Sequence, residues 1–315
     1  GLVVATACIV IALNGFSPVQ AQAPVRQGFT SAKTAKTAQF KLPTVPTVTA
    51  LDTPQQPSGE RAIICKPGQP ADQCDDRLPL LDRSQPWSAI GRIVMTDSRG
   101  GQYQCTGTLI ADNLILTNAH CVINPDTHQA YASLFFEPNL IDGILSDPQD
   151  KTRITGGVYG TDFRDRATPP HPEDWAIATL EKPLGQKYGT IGIQAVSIDV
   201  FRSSPDKLTL LGYSYDFPNP QKFKEFPSGA GKTPGVHKQC SVVGERPDSV
   251  LVHYCDMRGG ASGGPIIAWV GSKPYIVAIN SAERVNQETG LGPENYATNV
   301  ARVIAWVQKQ GKSQR

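Results

Sequence analysis

Apolar positions fall along the chain in distinct regimes. Residues 2–13 are almost uniformly apolar, whereas residues 22–59 are Thr, Ala, Gln, Pro and Lys with few large apolar side chains. From Trp87 onward, short apolar runs alternate with turn residues, at 89–94, 104–110, 114–117, 208–211, 250–254, 266–270 and 275–279. Such runs, bounded by Gly, Pro, Asn and Asp, predict strands. Ala111-Asp112-Asn113 predicts a hairpin between 104–110 and 114–117, and Gly271-Ser272-Lys273 joins 266–270 to 275–279. Only the end has helical spacing, with Val300, Val303, Ile304 and Val307 on one face. Thr298 or Asn299 can cap that helix and Gly311 can close it. Many β-runs and one terminal helix predict an all-β sandwich or barrel, and the chain carries no internal repeat.

The first apolar run contains Cys8, breaks at Asn14-Gly15 and Ser17-Pro18, and reaches small residues at Ala21 and Ala23. That is the layout of a signal-peptide core and its cleavage region. Cutting after Ala21 fits better than after Ala23, because Pro24 would hinder the latter. The charged start is missing and the chain opens on Gly1, which reads as a truncated leader. A membrane anchor is the bland alternative, but a run from 2 to 13 is short of the roughly 20 residues a helical span needs. The expectation is a chain exported to the periplasm or the outside, with no stable membrane insertion once residues 1–21 are removed. Residues 22–85 cannot offset their ordering entropy by burial and read as a disordered pro-segment or linker. A short polar loop between Cys65 and Cys74 interrupts it.

Composition narrows the function classes. The 315 residues carry 30 basic and 28 acidic side chains, a net charge of +2, which argues against nucleic-acid binding over the whole surface. No internal run of apolar residues is long enough for a polytopic membrane protein. Of 7 cysteines, Cys8 leaves with the leader. Cys65, Cys74, Cys105, Cys121, Cys240 and Cys255 remain, an even set that reads as disulfides in an exported protein. The length suits about two domains.

Three segments carry candidate chemistry. Leu116-Thr117-Asn118-Ala119-His120-Cys121 ends an apolar strand on a histidine able to act as a general base, although a lone histidine there is more often structural. Glu173-Asp174-Trp175-Ala176 sets one carboxylate at the mouth of an apolar strand, which alone would be a turn aspartate. Gly259-Gly260-Ala261-Ser262-Gly263-Gly264-Pro265 surrounds a serine with glycines, whose freedom lets a substrate carbonyl approach and lets the Gly260 and Ser262 amides converge as an oxyanion hole. By itself that is a Gly-rich turn, or the nucleophile elbow of an α/β-hydrolase. The elbow requires the order serine, acid, histidine. All five histidines (120, 128, 171, 237 and 253) precede Ser262, so that alternative fails.

The order His120, Asp174, Ser262 is the one used by chymotrypsin-type serine proteases. In these motifs, and in Cys105-Thr106-Gly107-Thr108-Leu109-Ile110, the chain resembles that family, and within it the secreted bacterial branch related to glutamyl endopeptidases. The resemblance runs from about Trp87 to Gln310. It implies an all-β, chymotrypsin-like double β-barrel with a C-terminal α-helix over residues 86–310, followed by a short tail, 311–315. It implies a serine endopeptidase, a monomer acting on protein or peptide substrates, with no metal and no cofactor. Ser262 would be the nucleophile, His120 the base and Asp174 its orienting acid, with Gly260 and Ser262 forming the oxyanion hole. It also implies the pairings Cys105–Cys121 and Cys240–Cys255, leaving Cys65–Cys74 as a local bridge.

Departures from the family pattern bear on activation and specificity. Animal zymogens of the family have an aspartate immediately before the nucleophile, which pairs with a newly cut N-terminus; here that position is Ala261. Processing after Arg77 or Arg83 would therefore act by removing a segment. Glutamyl endopeptidases place a histidine in the strand after the nucleophile, where this chain has Asn280 beside Ser281, so a glutamyl preference is in doubt. Asp256 lies at the spacing of the trypsin pocket aspartate, and with Glu283 it would favour Lys or Arg substrates. Yet Cys255 precedes Asp256 where trypsins have a following cysteine, so Asp256 can equally make a structural hydrogen bond. His171 with Asp174 lacks a metal-site pattern, and 222–226 reads as an exposed loop. A catalytically silent binding or adhesion module is the alternative function, and a structural wall protein would explain the Thr/Pro lead alone.

Overall fold

The computed structural model describes residues 28–35, 47–52, 74–165, 168–284 and 292–312. Strands dominate, and most of them form two large sheets, with one two-stranded ribbon besides, Ile123–Asn124 with Gln129–Ala130. In the first, Ile90–Thr96, Gln102–Ala111, Leu114–Thr117, Ala176–Leu180, Thr152–Tyr159 and Ser133–Pro138 pair in a ring. The last of these pairs with both Thr152–Tyr159 and Ile90–Thr96, which closes the barrel. Alternation along Thr152–Tyr159, buried at every second residue, is what a strand with one face in a barrel interior requires. The predicted 104–110/114–117 hairpin lies at its heart, turning at Asp112-Asn113.

The second sheet runs Val242–Glu245, Val250–His253, Glu294–Asn299, Lys273–Arg284, Pro265–Val270, Leu208–Gly212 and Gly235–Cys240. Its inner face buries Leu208, Leu210, Leu251, Ile266, Val277 and Ala297. This is the expected all-β, two-barrel architecture. The terminal helix, Ala301–Lys312, is capped by Asn299, whose Oδ1 accepts the Ala301 amide at 3.0 Å. It continues through Gly311 where a stop is predicted. Val303 and Val307 face the core, and Trp306 packs 5.5 Å from Trp175, so the helix closes over the first barrel.

The lead departs from the disorder expected over 22–85. Gly28–Ser31 adds a parallel strand to Thr152–Tyr159, and Trp306 Nε1 donates to the Ala32 carbonyl at 3.0 Å. Val48 and Leu51 are buried in the second barrel, where Asp52 bridges to Trp269. Leu78–Pro79 pairs with Gly235 and Val236 of the second sheet. Composition misled because docking needs only a strand edge and a few well-placed apolar side chains, since an open edge supplies the hydrogen bonds. Residues 1–27 and 53–73, with the predicted leader and Cys65, lie outside the described residues, but Cys74 is disulfide-bonded.

Among the described residues no helix is long and apolar enough to cross a membrane.

Candidate active site

His120 and Asp174 meet because two strand ends do. Leu114–Thr117 pairs antiparallel with Ala176–Leu180, with Thr117 opposite Ala176. The chain leaving the first strand and the chain entering the second therefore share one end of the barrel. His120 follows in the single turn Ala119–Cys121, and Asp174 lies just ahead of the second strand. His120 Nδ1 lies 2.8 Å from Asp174 Oδ2, and the His120 amide donates to Asp174 Oδ1 at 3.0 Å.

Asp174 is fully buried. A buried carboxylate is costly unless its oxygens are hydrogen-bonded. Ser281 Oγ supplies a further donor to Oδ2 at 2.7 Å. The Asp174 carbonyl accepts from Asn118 Nδ2 at 2.7 Å and from Thr298 Oγ1 at 3.2 Å. Asn118 belongs to the first barrel, Ser281 and Thr298 to the second, so the acid is gripped from both sides of the cleft between them.

Ser262 comes from the second barrel, in the loop before Pro265–Val270. Its carbonyl accepts the Thr106 amide of the first barrel at 2.7 Å. Thr106 adjoins Cys105, whose disulfide to Cys121 ties the same strand to the His120 turn. One cross-link thus ties the strand that bonds Ser262 to the turn that carries His120. Ser262 Oγ donates to the Ser281 carbonyl at 3.3 Å, a long bond that the hydroxyl can leave at low cost.

Successive carbonyls around the serine are held. Gly259 O accepts from the Tyr215 amide at 2.7 Å, Gly260 O from Thr106 Oγ1 at 3.1 Å, and Ala261 O from the Gly264 amide at 2.9 Å and from Asn280 Nδ2 at 3.1 Å. In a trans peptide the N–H points opposite the C=O. Holding the Gly259 and Ala261 carbonyls therefore turns the Gly260 and Ser262 amides the other way. Among the described residues neither amide finds a protein acceptor. Glycine is required here: Gly260 has φ +97° and Gly263 φ +79°, and a Cβ on Gly263 would overlap Thr117 Oγ1 and the Thr106 carbonyl.

The remaining candidates are Asp256, Glu283 and Asn280. Asp256 accepts the Asp76 amide at 3.1 Å, and its own amide donates to His237 Nδ1 at 2.6 Å. Because that nitrogen accepts, the His237 ring is neutral, and its 3.7 Å approach to the Asp256 carboxylate is no ion pair. Burial pushes Asp256 up to about 8 and His237 down to about 3. Asp256 thus anchors the lead to the loop that follows the Cys240–Cys255 bridge. Glu283 lies 3.8 Å from Arg258, and burial raises its carboxyl against the pull of that guanidinium. Asn280 is fully buried.

Cys105, His120 and Cys121 bring potential metal-binding atoms together, but both sulfurs are spent in the disulfide. His171 Nδ1 accepts the Glu173 amide at 3.0 Å, so it serves the turn that presents Asp174.

Ser281, expected from the sequence beside the specificity pocket, bonds Asp174, a contact outside that expectation, as are the contributions of Thr106, Tyr215 and Thr298. A usable signal existed for Ser281: Asn280-Ser281 places two polar residues in succession within an apolar strand.

The Trypsin family model matches residues 81–307. "Serine protease 23" of Rattus norvegicus is 26% identical over 189 residues, covering 54% of this chain and 44% of that protein. The Mus musculus protein of the same name is 25% identical over the same shares. The match thus spans less than half the length of these curated relatives. Among solved structures, a Glu endopeptidase in complex with MPD superposes with a TM-score of 0.55 at 22% identity, covering 75% of this chain and 96% of that one. The protease Anisep from Arthrobacter nicotinovorans gives 0.51 at 19% identity, over 69% of this chain and 92% of that one. At such identities the solved structures establish the fold.

Proposed function

The chain belongs to the trypsin family, and from that premise we propose that it is an exported serine endopeptidase acting through His120, Asp174 and Ser262. The observation that carries the reading is the 2.8 Å contact of the His120 imidazole with a buried Asp174, which Ser281 links to Ser262 by bonding Asp174 through its hydroxyl and Ser262 Oγ through its carbonyl. A serine hydroxyl is a weak nucleophile until a base removes its proton. His120 takes that proton as Ser262 Oγ leaves the Ser281 carbonyl and attacks the scissile carbonyl carbon. Asp174 keeps the imidazole in the tautomer that accepts at Nε2 and stabilises its cationic form. The Gly260 and Ser262 amides receive the oxyanion, a type of donor worth about 2.7–4 kcal/mol each in transition-state stabilisation. His120 then protonates the leaving amine, and water attacking the acyl-enzyme on Ser262 completes the turnover.

Substrate preference follows from which charges are free. The Asp256 carboxyl accepts the Asp76 amide, and Glu283 is paired with Arg258. A basic substrate side chain would have to compete with Arg258 for Glu283. The disulfides and the apolar run at residues 2–13 support an oxidising, exported setting. A silent binding module would have no need of two amides turned to one side beside a serine.

The test is cleavage of an unfolded protein and of a fluorogenic peptide library by the parent, Ser262→Ala and Asp174→Asn. Parent activity is expected, absent in the first variant and reduced about 10⁴-fold in kcat in the second. Equal turnover by parent and Ser262→Ala would remove the reading.

A further inference from the structure

Asn280 stands among the sequence's specificity candidates, but in the fold its side chain points inward and is bonded on both sides. Asn280 Nδ2 donates to the Ala261 carbonyl at 3.1 Å, and Asn280 Oδ1 lies 3.1 Å from His253 Nε2. Both residues are fully buried. The Cys255 amide donates to His253 Nδ1 at 3.2 Å, so that nitrogen carries no proton. The ring proton therefore sits on Nε2 and is given to Asn280 Oδ1. Flipping the Asn280 amide would set its oxygen against the Ala261 carbonyl and its NH₂ against the ring N–H, so only one orientation satisfies both neighbours. Burial holds the His253 imidazole down at about 4, which keeps the ring neutral, and the direction of donation fixed, through the physiological range.

The chain of donors runs from Cys255 N–H to His253 Nδ1, from His253 Nε2–H to Asn280 Oδ1, and from Asn280 Nδ2–H to Ala261 O. Its last step acts on the carbonyl of the peptide whose N–H belongs to Ser262. The strand is held reciprocally, since the Gly263 amide donates to the Asn280 carbonyl at 2.8 Å and the Asn280 amide to the Gly264 carbonyl at 2.9 Å. We infer that Asn280, oriented by His253, is a positioning residue that holds the Ser262 amide toward the oxyanion. This uncharged brace works on the peptide of Ala261, the position that bears no aspartate for an ion pair. The inference rests on the proteolytic reading above.

The experiment compares the parent with Asn280→Ala, Asn280→Asp, His253→Gln and His253→Phe, all in the full chain. Kinetics use one fluorogenic peptide that the parent cleaves, and binding uses a peptide aldehyde and a non-reactive peptide of the same sequence. The Asp variant keeps the shape of the side chain but, when ionised, offers Ala261 O no donor. The Gln variant retains an N–H donor for Asn280 Oδ1, and the Phe variant does not.

In both Asn280 variants kcat should fall at least tenfold while KM stays within twofold. Aldehyde affinity should fall in step with kcat, with affinity for the non-reactive peptide and the order of preferred side chains unchanged. His253→Gln should retain several-fold more kcat than His253→Phe. If the Asn280 variants do not fold, the His253 pair decides alone, since both members leave Asn280 in place. Unchanged kcat, or a changed order of preferred substrates, would overturn the inference. Labelling of the parent with a fluorophosphonate in the same preparations separates the two levels. An unlabelled parent overturns the protease reading itself, whereas a labelled parent with unimpaired variants overturns only the role of Asn280.

Discussion

Ser281 Oγ donates to Asp174 Oδ2 at 2.7 Å, on the same oxygen that faces His120 Nδ1 at 2.8 Å. A residue of the second barrel thus completes the environment of an acid supplied by the first, and the cleft between the barrels is held together at the group proposed to orient the base.

Removing that donor should be measurable in stability as well as rate. Hydrogen bonds to charged groups contribute about 1.5–3 kcal/mol, and losing one here leaves a buried carboxylate short of a partner. Ser281→Ala should lower the unfolding free energy by that amount, read as a lower urea midpoint at unchanged slope, and reduce kcat. An unaltered midpoint would show that Ser281 does not support Asp174.

The motifs at His120, Asp174 and Ser262 were legible because each couples a rare residue pattern to an apolar strand, and because their order along the chain excludes other arrangements. Ser281 was legible as a residue near the site but not as a partner of Asp174. That contact depends on how the strand 273–284 of the second sheet lies against the first barrel, which no local pattern encodes. The orientation of Asn280 was not legible for a related reason. A position equivalent to a known pocket residue says nothing about which way a different side chain turns, and here two buried partners hold it inward. The lead was the larger surprise. Val48 and Leu51 look negligible among Thr and Pro, yet both side chains are buried against the second barrel.

Asp256 gives the stability a pH signature. Its carboxyl is raised to about 8 in the fold, chiefly by burial, from an ordinary value near 4. Between these values the folded chain keeps a proton that the unfolded chain releases, so this group's contribution is full below about pH 4 and is lost as pH rises through about 8. Asp256→Asn should remove that loss. Urea unfolding of both proteins at about pH 5 and pH 8 should show the variant gaining on the parent at the higher value. A difference independent of pH would mean that Asp256 ionises normally in the fold.

Arg77 tests the attachment of the lead. Its guanidinium is buried and bonds Asp75 at 2.8 Å and Asp216 at 2.9 Å, while lying over the Phe217 ring. Both carboxylates reach solvent, so Arg77→Ala should cost less than a fully buried pair, at the lower end of about 3–5 kcal/mol. Hydrogen exchange should then rise at Gly235 and Val236, where the lead strand Leu78–Pro79 pairs. Protection equal to the parent's would show that the strand is held without Arg77.

The central claim, that Ser262 is a nucleophile activated by His120 and Asp174, is tested most directly by a fluorophosphonate probe read out by peptide mass spectrometry. The account predicts one adduct, on the peptide containing Ser262, formed by the folded chain at about pH 8 and lost on prior denaturation or in His120→Ala. A folded chain that forms no adduct between about pH 6 and 9, or forms it on another serine, would contradict it.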